Sequence, residues 1–117
     1  MKRDDDLIRK ILFGLEESDD WLHILPATSL DASAEEHQER YLLDLMGDQG
    51  FVAGVGESSF RMTSQGHDFL DAIRDDNIWN KTKVGAVQVG GMTIGMMKDL
   101  AVAYLKQEAA EKLGIVL

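Results

Sequence analysis

Strand-forming patterns occupy little of this sequence, and the clearest is a hairpin with helical patterns on both sides. Phe51-Val52-Ala53-Gly54-Val55 and Ser59-Phe60-Arg61-Met62-Thr63 flank Gly56-Glu57-Ser58, a three-residue glycine-containing turn suited to joining antiparallel strands. Thr63 or Ser64 is placed to cap a helix reaching to about Asp75, with Phe69, Leu70 and Ile73 as its buried side. A sheet this small needs helices packed against it to make a core.

The rest of the chain supplies them. Leu7, Ile8, Ile11, Leu12 and Leu15 form one apolar stripe over Asp4–Glu17. Asp4, Asp5 and Asp6 lie where the helix dipole favours negative charge, and Asp5 with Arg9 and Asp6 with Lys10 have i,i+4 spacing. After Ser18-Asp19-Asp20, the residues Leu22, Ile24 and Leu25 suit a short strand ended by Pro26. Asp31 or Ser33 can cap a second helix, and Ser33-x-x-Glu36 has capping-box spacing. That helix turns Tyr41, Leu42, Leu45 and Met46 inward and stops near Gly47 or Gly50. Ile78 and Trp79 are expected to fold back as the closing edge of the core. A glycine-rich, uncharged connector follows, and a last helix from Thr93 to about Lys112 carries Ile94, Met97, Leu100, Ala101, Tyr104 and Leu105.

The order is helix, strand, helix, hairpin, helix, connector, helix. It predicts an α+β, mostly helical fold: a winged-helix-like domain with a small antiparallel β-hairpin and an extra C-terminal helix. The expected boundaries are 1–83 for the winged-helix-like domain, 84–91 for the connector and 92–117 for the final helix. That helix either packs on the domain or mediates a homodimer, with Met92, Met96 and Met97 as adaptable contacts.

At 117 residues, 44% of them hydrophobic and 28% charged, the chain suits one globular domain. No apolar run approaches the roughly 20 residues that span a bilayer, and the polar start does not read as a secretory signal. The absence of cysteine excludes disulfides and thiol chemistry and fits a cytoplasmic address.

Two stretches resemble a known family. Met1-Lys2-Arg3-Asp4-Asp5-Asp6-Leu7-Ile8-Arg9-Lys10-Ile11-Leu12 is one. Met62-Thr63-Ser64-Gln65-Gly66-His67-Asp68-Phe69-Leu70-Asp71-Ala72-Ile73-Arg74-Asp75-Asp76, with Ile78-Trp79-Asn80-Lys81-Thr82 after it, is the other. Both are similar to the bacterial and prophage family called domain of unknown function 2513, and the likeness covers residue 1 to about residue 83. The resemblance implies a winged-helix-like fold in short proteins often found in phages and prophages; it brings no activity, substrate or catalytic residue. Gly47, Gly50, Gly54 and Gly56 depart from the family pattern and imply a looser helix end and wing. In many winged-helix proteins a Thr at the end of the last wing strand caps the next helix. A Gly two or three residues later lets that helix pack on the sheet, and Thr63 and Gly66 occupy those places.

No constellation predicts catalysis. Among His23, His37 and His67, only His67 has a carboxylate at helical spacing, Asp71, and a metal or acid–base site would need a further partner. Asp19-Asp20 and Asp75-Asp76 lie at element ends, where capping explains them, and Arg74 is placed to pair with Asp71. Gly85-x-x-x-x-Gly90-Gly91 lacks the Lys-Ser/Thr of a phosphate loop. The expectation is a protein without enzymatic activity, cofactor or metal.

Charge then sets the functional reading. The net charge is −9, from 21 acidic and 12 basic residues, which opposes general attraction to a phosphate backbone. The second helix would enter the major groove in a DNA reader, yet it presents Glu35, Glu36, Glu39, Asp44 and Asp48 with Arg40 as the lone cation. Direct base readout relies far more on Arg, Lys, Asn and Gln. The sequence therefore predicts a phage or prophage protein–protein interaction module, binding a basic partner through those five acids. The alternative is a winged helix-turn-helix DNA-binding regulator contacting DNA through Lys2, Arg3, Arg61, Lys81 and Lys83.

Overall fold

The computed structural model describes residues 1–116. Their order is α1 (Asp5–Glu17), β1 (Leu22–Ile24), α2 (Ala34–Asp48), β2 (Val52–Val55), β3 (Ser59–Met62), α3 (Ser64–Ile73), α4 (Asp76–Gln88) and α5 (Ile94–Leu113). The fold is α+β and mostly helical, with one small antiparallel sheet. The chain divides into two compact units, Met1–Asp68 and Phe69–Leu117, so the boundary falls inside α3.

In the first unit the helices start where side chains satisfy free N–H groups. Asp4 Oδ1 accepts from Leu7 N at 3.0 Å. Ser33 Oγ accepts from Glu36 N at 3.1 Å while the Glu36 carboxylate accepts from Ser33 N at 3.3 Å, a complete capping box. α2 stops at Gly50, whose φ of 78° suits glycine. Gly50 N donates to Gly47 O and Phe51 N to Met46 O, at 3.0 and 2.8 Å, the bond pair of a Schellman ending.

The chain then enters the hairpin. β3 is central, with β1 and β2 antiparallel on either side; Leu22 faces Arg61 and His23 faces Phe60 across one ladder, and Val52 faces Met62 across the other. Ile8 and Leu12 of α1 and Leu42, Leu43 and Met46 of α2 are buried together with Phe51, Val52, Phe60 and Met62. β1 reverses the usual alternation. His23 turns inward, its ring 5.4 Å from that of Phe60, whereas Leu22 and Ile24 face solvent.

The second unit departs from the sequence expectation. Residues 76–88 form a helix rather than a closing edge followed by a connector. Asp75 starts it by accepting from Asn77 N at 2.7 Å and Ile78 N at 3.3 Å, and Ile78, Trp79 and Thr82 are its buried positions. The glycines read as a connector divide between two tasks. Gly85 lies inside α4, where a Cβ would come within 2.9 Å of Leu100 Cδ2. Gly90, with φ 82°, ends the helix; its N–H donates to Val87 O and that of Gly91 to Ala86 O. The link between helices shrinks to residues 89–93, and residue 83/84, the expected domain end, falls within α4.

Gly85 meets Leu100, and one turn back along α4, Lys81 Nζ lies 5.8 Å from the Tyr104 ring centre, one turn forward along α5. α4 and α5 are therefore an antiparallel helical hairpin. Thr93 caps α5, accepting from Met96 N at 3.0 Å, and Gly114 closes it at φ 67°.

Candidate partner-binding face

The acids of α2 do not form one continuous face. Their 100° steps around the helix, and the engagements of their side chains, separate them into three groups. Glu35 and Glu39, one turn apart, line a groove between α1 and α2 whose other lining residues are Leu7, Lys10, Ile11 and Gln38; its volume is about 460 Å³. Asp44 and Asp48 line a second groove of about 300 Å³ on the sheet side, with Leu25, Arg40 and Phe60 among its walls. Glu36 stands apart from both, its carboxylate engaged with Ser33 N.

Neutralisation sharpens the division. Arg40 Nε lies 3.3 Å from Asp44 Oδ1 and its Nη1 donates to Pro26 O at 3.2 Å. The one cation of α2 thus ties the helix to the preceding loop and offsets Asp44. Asp31, in that loop, has its carboxyl held below the ordinary aspartate value, first by a hydrogen bond from the Ser29 side chain and then by its own backbone N–H. Of the five acids predicted to bind a partner, Glu35 and Glu39 share a groove that Leu7, Lys10 and Ile11 of α1 also line.

The residues predicted for DNA contact fall in both units. Lys2 is exposed, but Arg3 Nε lies 2.6 Å from Asp5 Oδ1. Arg61 projects from the central strand, between Leu22 and Ala53 in register, while the hairpin tip carries the exposed Glu57. Lys81 and Lys83 sit on α4, over the rings of Tyr104 and Trp79.

One cleft was not readable from spacing. Trp21, His23, Arg61, Met62 and His67, together with acids from the α1–β1 link, enclose about 250 Å³. Strand pairing collects these residues from positions 46 apart, so no local motif marks them. Asp71, the carboxylate considered as a partner for His67, takes Arg74 at 2.9 Å. Among the described residues no three His, Cys, Asp or Glu side chains are placed to hold a metal ion.

The family described as Hypothetical protein (DUF2513) matches residues 2–93. The chain belongs to this family. The DUF2513 match takes in residues 2–12 and 62–82, the two stretches that resemble the family, and it ends at Thr93, the cap of α5. An uncharacterized protein of Haemophilus influenzae (strain ATCC 51907 / DSM 11121 / KW20 / Rd) is 35% identical over 94 residues, covering 71% of this DUF2513 chain and 76% of that protein. No solved structure matches. Among the described residues, no helix is long and apolar enough to cross a membrane.

Proposed function

We propose that this protein is a non-catalytic, cytoplasmic binding module of winged-helix type, whose α1–α2 groove receives a basic amphipathic segment of another protein. The observation that carries the reading is the pairing of Glu35 and Glu39 on one wall of a groove with Leu7 and Ile11 in its lining. An apolar side chain of the partner would cover Leu7 and Ile11, and cations one helical turn apart would meet the two carboxylates. Lys10 would oppose a cation placed beside α1, which orients the segment with its basic side toward α2.

The winged-helix element rests on order and pairing: α1 precedes β1, α2 precedes the hairpin, and the sheet runs β1-β3-β2. A helix-turn-helix would place two helices between β1 and the hairpin. Here only α2 is present, preceded by a turn in which Ala32 N donates to Ser29 O at 3.0 Å. That shortening, and the acids of α2, favour a protein partner over a DNA groove. The phage or prophage setting rests on the family resemblance alone.

The test is fluorescence anisotropy with a panel of labelled basic amphipathic peptides, comparing wild type with a Glu35→Lys/Glu39→Lys variant and an Asp44→Lys/Asp48→Lys variant. Glu36 is left intact because it caps α2. Binding lost only in the first variant supports the groove. Equal binding by wild type and the first variant, or no binding by any peptide, removes it.

A further inference from the structure

We infer that β1 is a pairing edge, and that its occupant is β1 of a second copy of this chain, joined antiparallel across a two-fold axis. β1 is the outermost strand on its side of the sheet, bonded to β3 alone. The ladder fixes where its backbone groups point. Leu25 N donates to Ser58 O at 2.9 Å on the β1 side of β3, and Thr63 N donates to Phe51 O at 3.0 Å on the β2 side. Hydrogen-bonded pairs alternate along an antiparallel ladder. Phe60 therefore bonds to His23, and the N–H and C=O of Leu22 and Ile24 point away from the sheet. The side chains beside these groups are apolar and on the solvent face, Ile24 84% and Leu22 39% exposed. Charged side chains commonly protect such an edge, yet residues 21–26 contain no Lys, Arg, Asp or Glu.

The register identifies the occupant. An extended backbone is the complement of outward N–H and C=O groups, and β1 fits itself. A two-fold axis at His23 sets Leu22 opposite Ile24 of the second copy, and Ile24 opposite Leu22 of the second copy. Each of these pairs exchanges two N–H···O bonds, and the apolar side chains meet on the solvent face. Sliding one way would set Leu22 opposite Pro26, which has no N–H to donate. Sliding the other way would set Ile24 opposite Asp20, whose N–H is already donated to Ser18 Oγ at 3.2 Å. In the centred register Asp20 faces Pro26, so no like charges oppose one another over residues 20–26. The inference uses β1 and β3 of the first unit alone and is independent of the α1–α2 groove.

The experiment has two arms, both on the full chain. Sedimentation velocity from about 10 to 500 μM covers the range in which so short an interface associates, for wild type and Ile24→Lys, with circular dichroism of each. Ile24 is exposed, so the variant should keep the wild-type spectrum. The expected result is a concentration-dependent wild-type dimer that Ile24→Lys abolishes, because an edge lysine blocks strand addition. The second arm reads the register. The chain has no cysteine, so Leu22→Cys and Ile24→Cys place the only thiols. Oxidised as a mixture, the two variants should join to each other, since directly bonded pairs have Cα atoms about 5.5 Å apart, within disulfide range. Each variant alone should cross-link poorly, its own copy lying diagonally across at roughly 7–8 Å. A wild type that stays monomeric throughout overturns the inference, as does a dimer insensitive to Ile24→Lys. Single variants that cross-link as fast as the mixture overturn the pairing.

Discussion

The backbone carbonyl of Phe51 occupies the space that a side chain at position 66 would fill: a Cβ built on Gly66 collides with that oxygen and comes within 3.2 Å of Met62 Cγ. The oxygen cannot easily retreat, because it accepts from Thr63 N at 3.0 Å. Thr63 Oγ1 in turn donates to Gly50 O and accepts from Gly66 N. One residue thus caps α3, bonds the end of α2, and sits where the hairpin closes. Gly66→Ala should destabilise the protein by about 2 kcal/mol or more, as overpacking against fixed backbone does. In a chain of this size the thermal midpoint should fall by roughly 8 °C. A midpoint within a degree of wild type would refute the account.

Gly14 gives the opposite sign. It lies within α1, is exposed, and a Cβ there meets nothing within 4 Å. Glycine in a helix interior costs roughly 0.5–1 kcal/mol relative to alanine through chain entropy. Gly14→Ala should stabilise by that amount in urea denaturation, with an unchanged slope. A loss of stability would show that the α1 surface at residue 14 is not open.

Ser33 and Glu36 are reciprocal partners, so their removal should not be additive. Ser33→Ala should cost about 1 kcal/mol. Adding Glu36→Ala to it should cost less than Glu36→Ala does in the wild-type background, because the box is already broken. Strictly additive losses in a double-mutant cycle would mean that the two bonds at the start of α2 act independently.

The boundaries of α1, α2 and the hairpin follow from local chemistry that is visible in sequence. Asp4, Ser33 and Thr63 are short polar residues directly before apolar periodic runs, and Gly50 is an unstrained left-handed stop. α4 was hidden because its start and stop resemble other things. Asp75 reads equally as the end of α3, and Gly85 looks like part of a connector until Leu100 is seen lying against it. The inward turn of His23 follows from pairing with Phe60, and register is a long-range property that three strand residues do not encode. The acids of α2 were all identifiable. Their division into two grooves and a cap depends on where α1 and β1 lie, which periodicity within α2 cannot report.

The charge distribution makes nucleic-acid binding a sharp test of the proposed function. Residues 1–68, which contain α2 and Arg61, are strongly acidic, and Arg3 is engaged by Asp5. A labelled random duplex titrated with the protein at low salt should show no rise in anisotropy. Binding that weakens steeply with salt and disappears in Arg61→Glu would transfer the working surface to the sheet and displace the protein-binding reading.

Ser29 and Asp31 supply a pH prediction with a definite sign. The Ser29 side chain hydrogen-bonds the Asp31 carboxylate and, with the Asp31 backbone N–H, stabilises the ionised form, so the folded-state pKa lies below the ordinary value. A carboxyl depressed in the folded state contributes its stability above its unfolded pKa and loses it as pH falls through the folded one. The group is fully exposed, so solvent screens the interaction and the effect on global stability should be small. Side-chain NMR titration is the direct readout: the Asp31 midpoint should lie below that of an unstructured aspartate, and Ser29→Ala should move it upward. No movement on removing the hydroxyl would mean that the backbone N–H alone holds the carboxylate, and that the turn before α2 does not depend on Ser29.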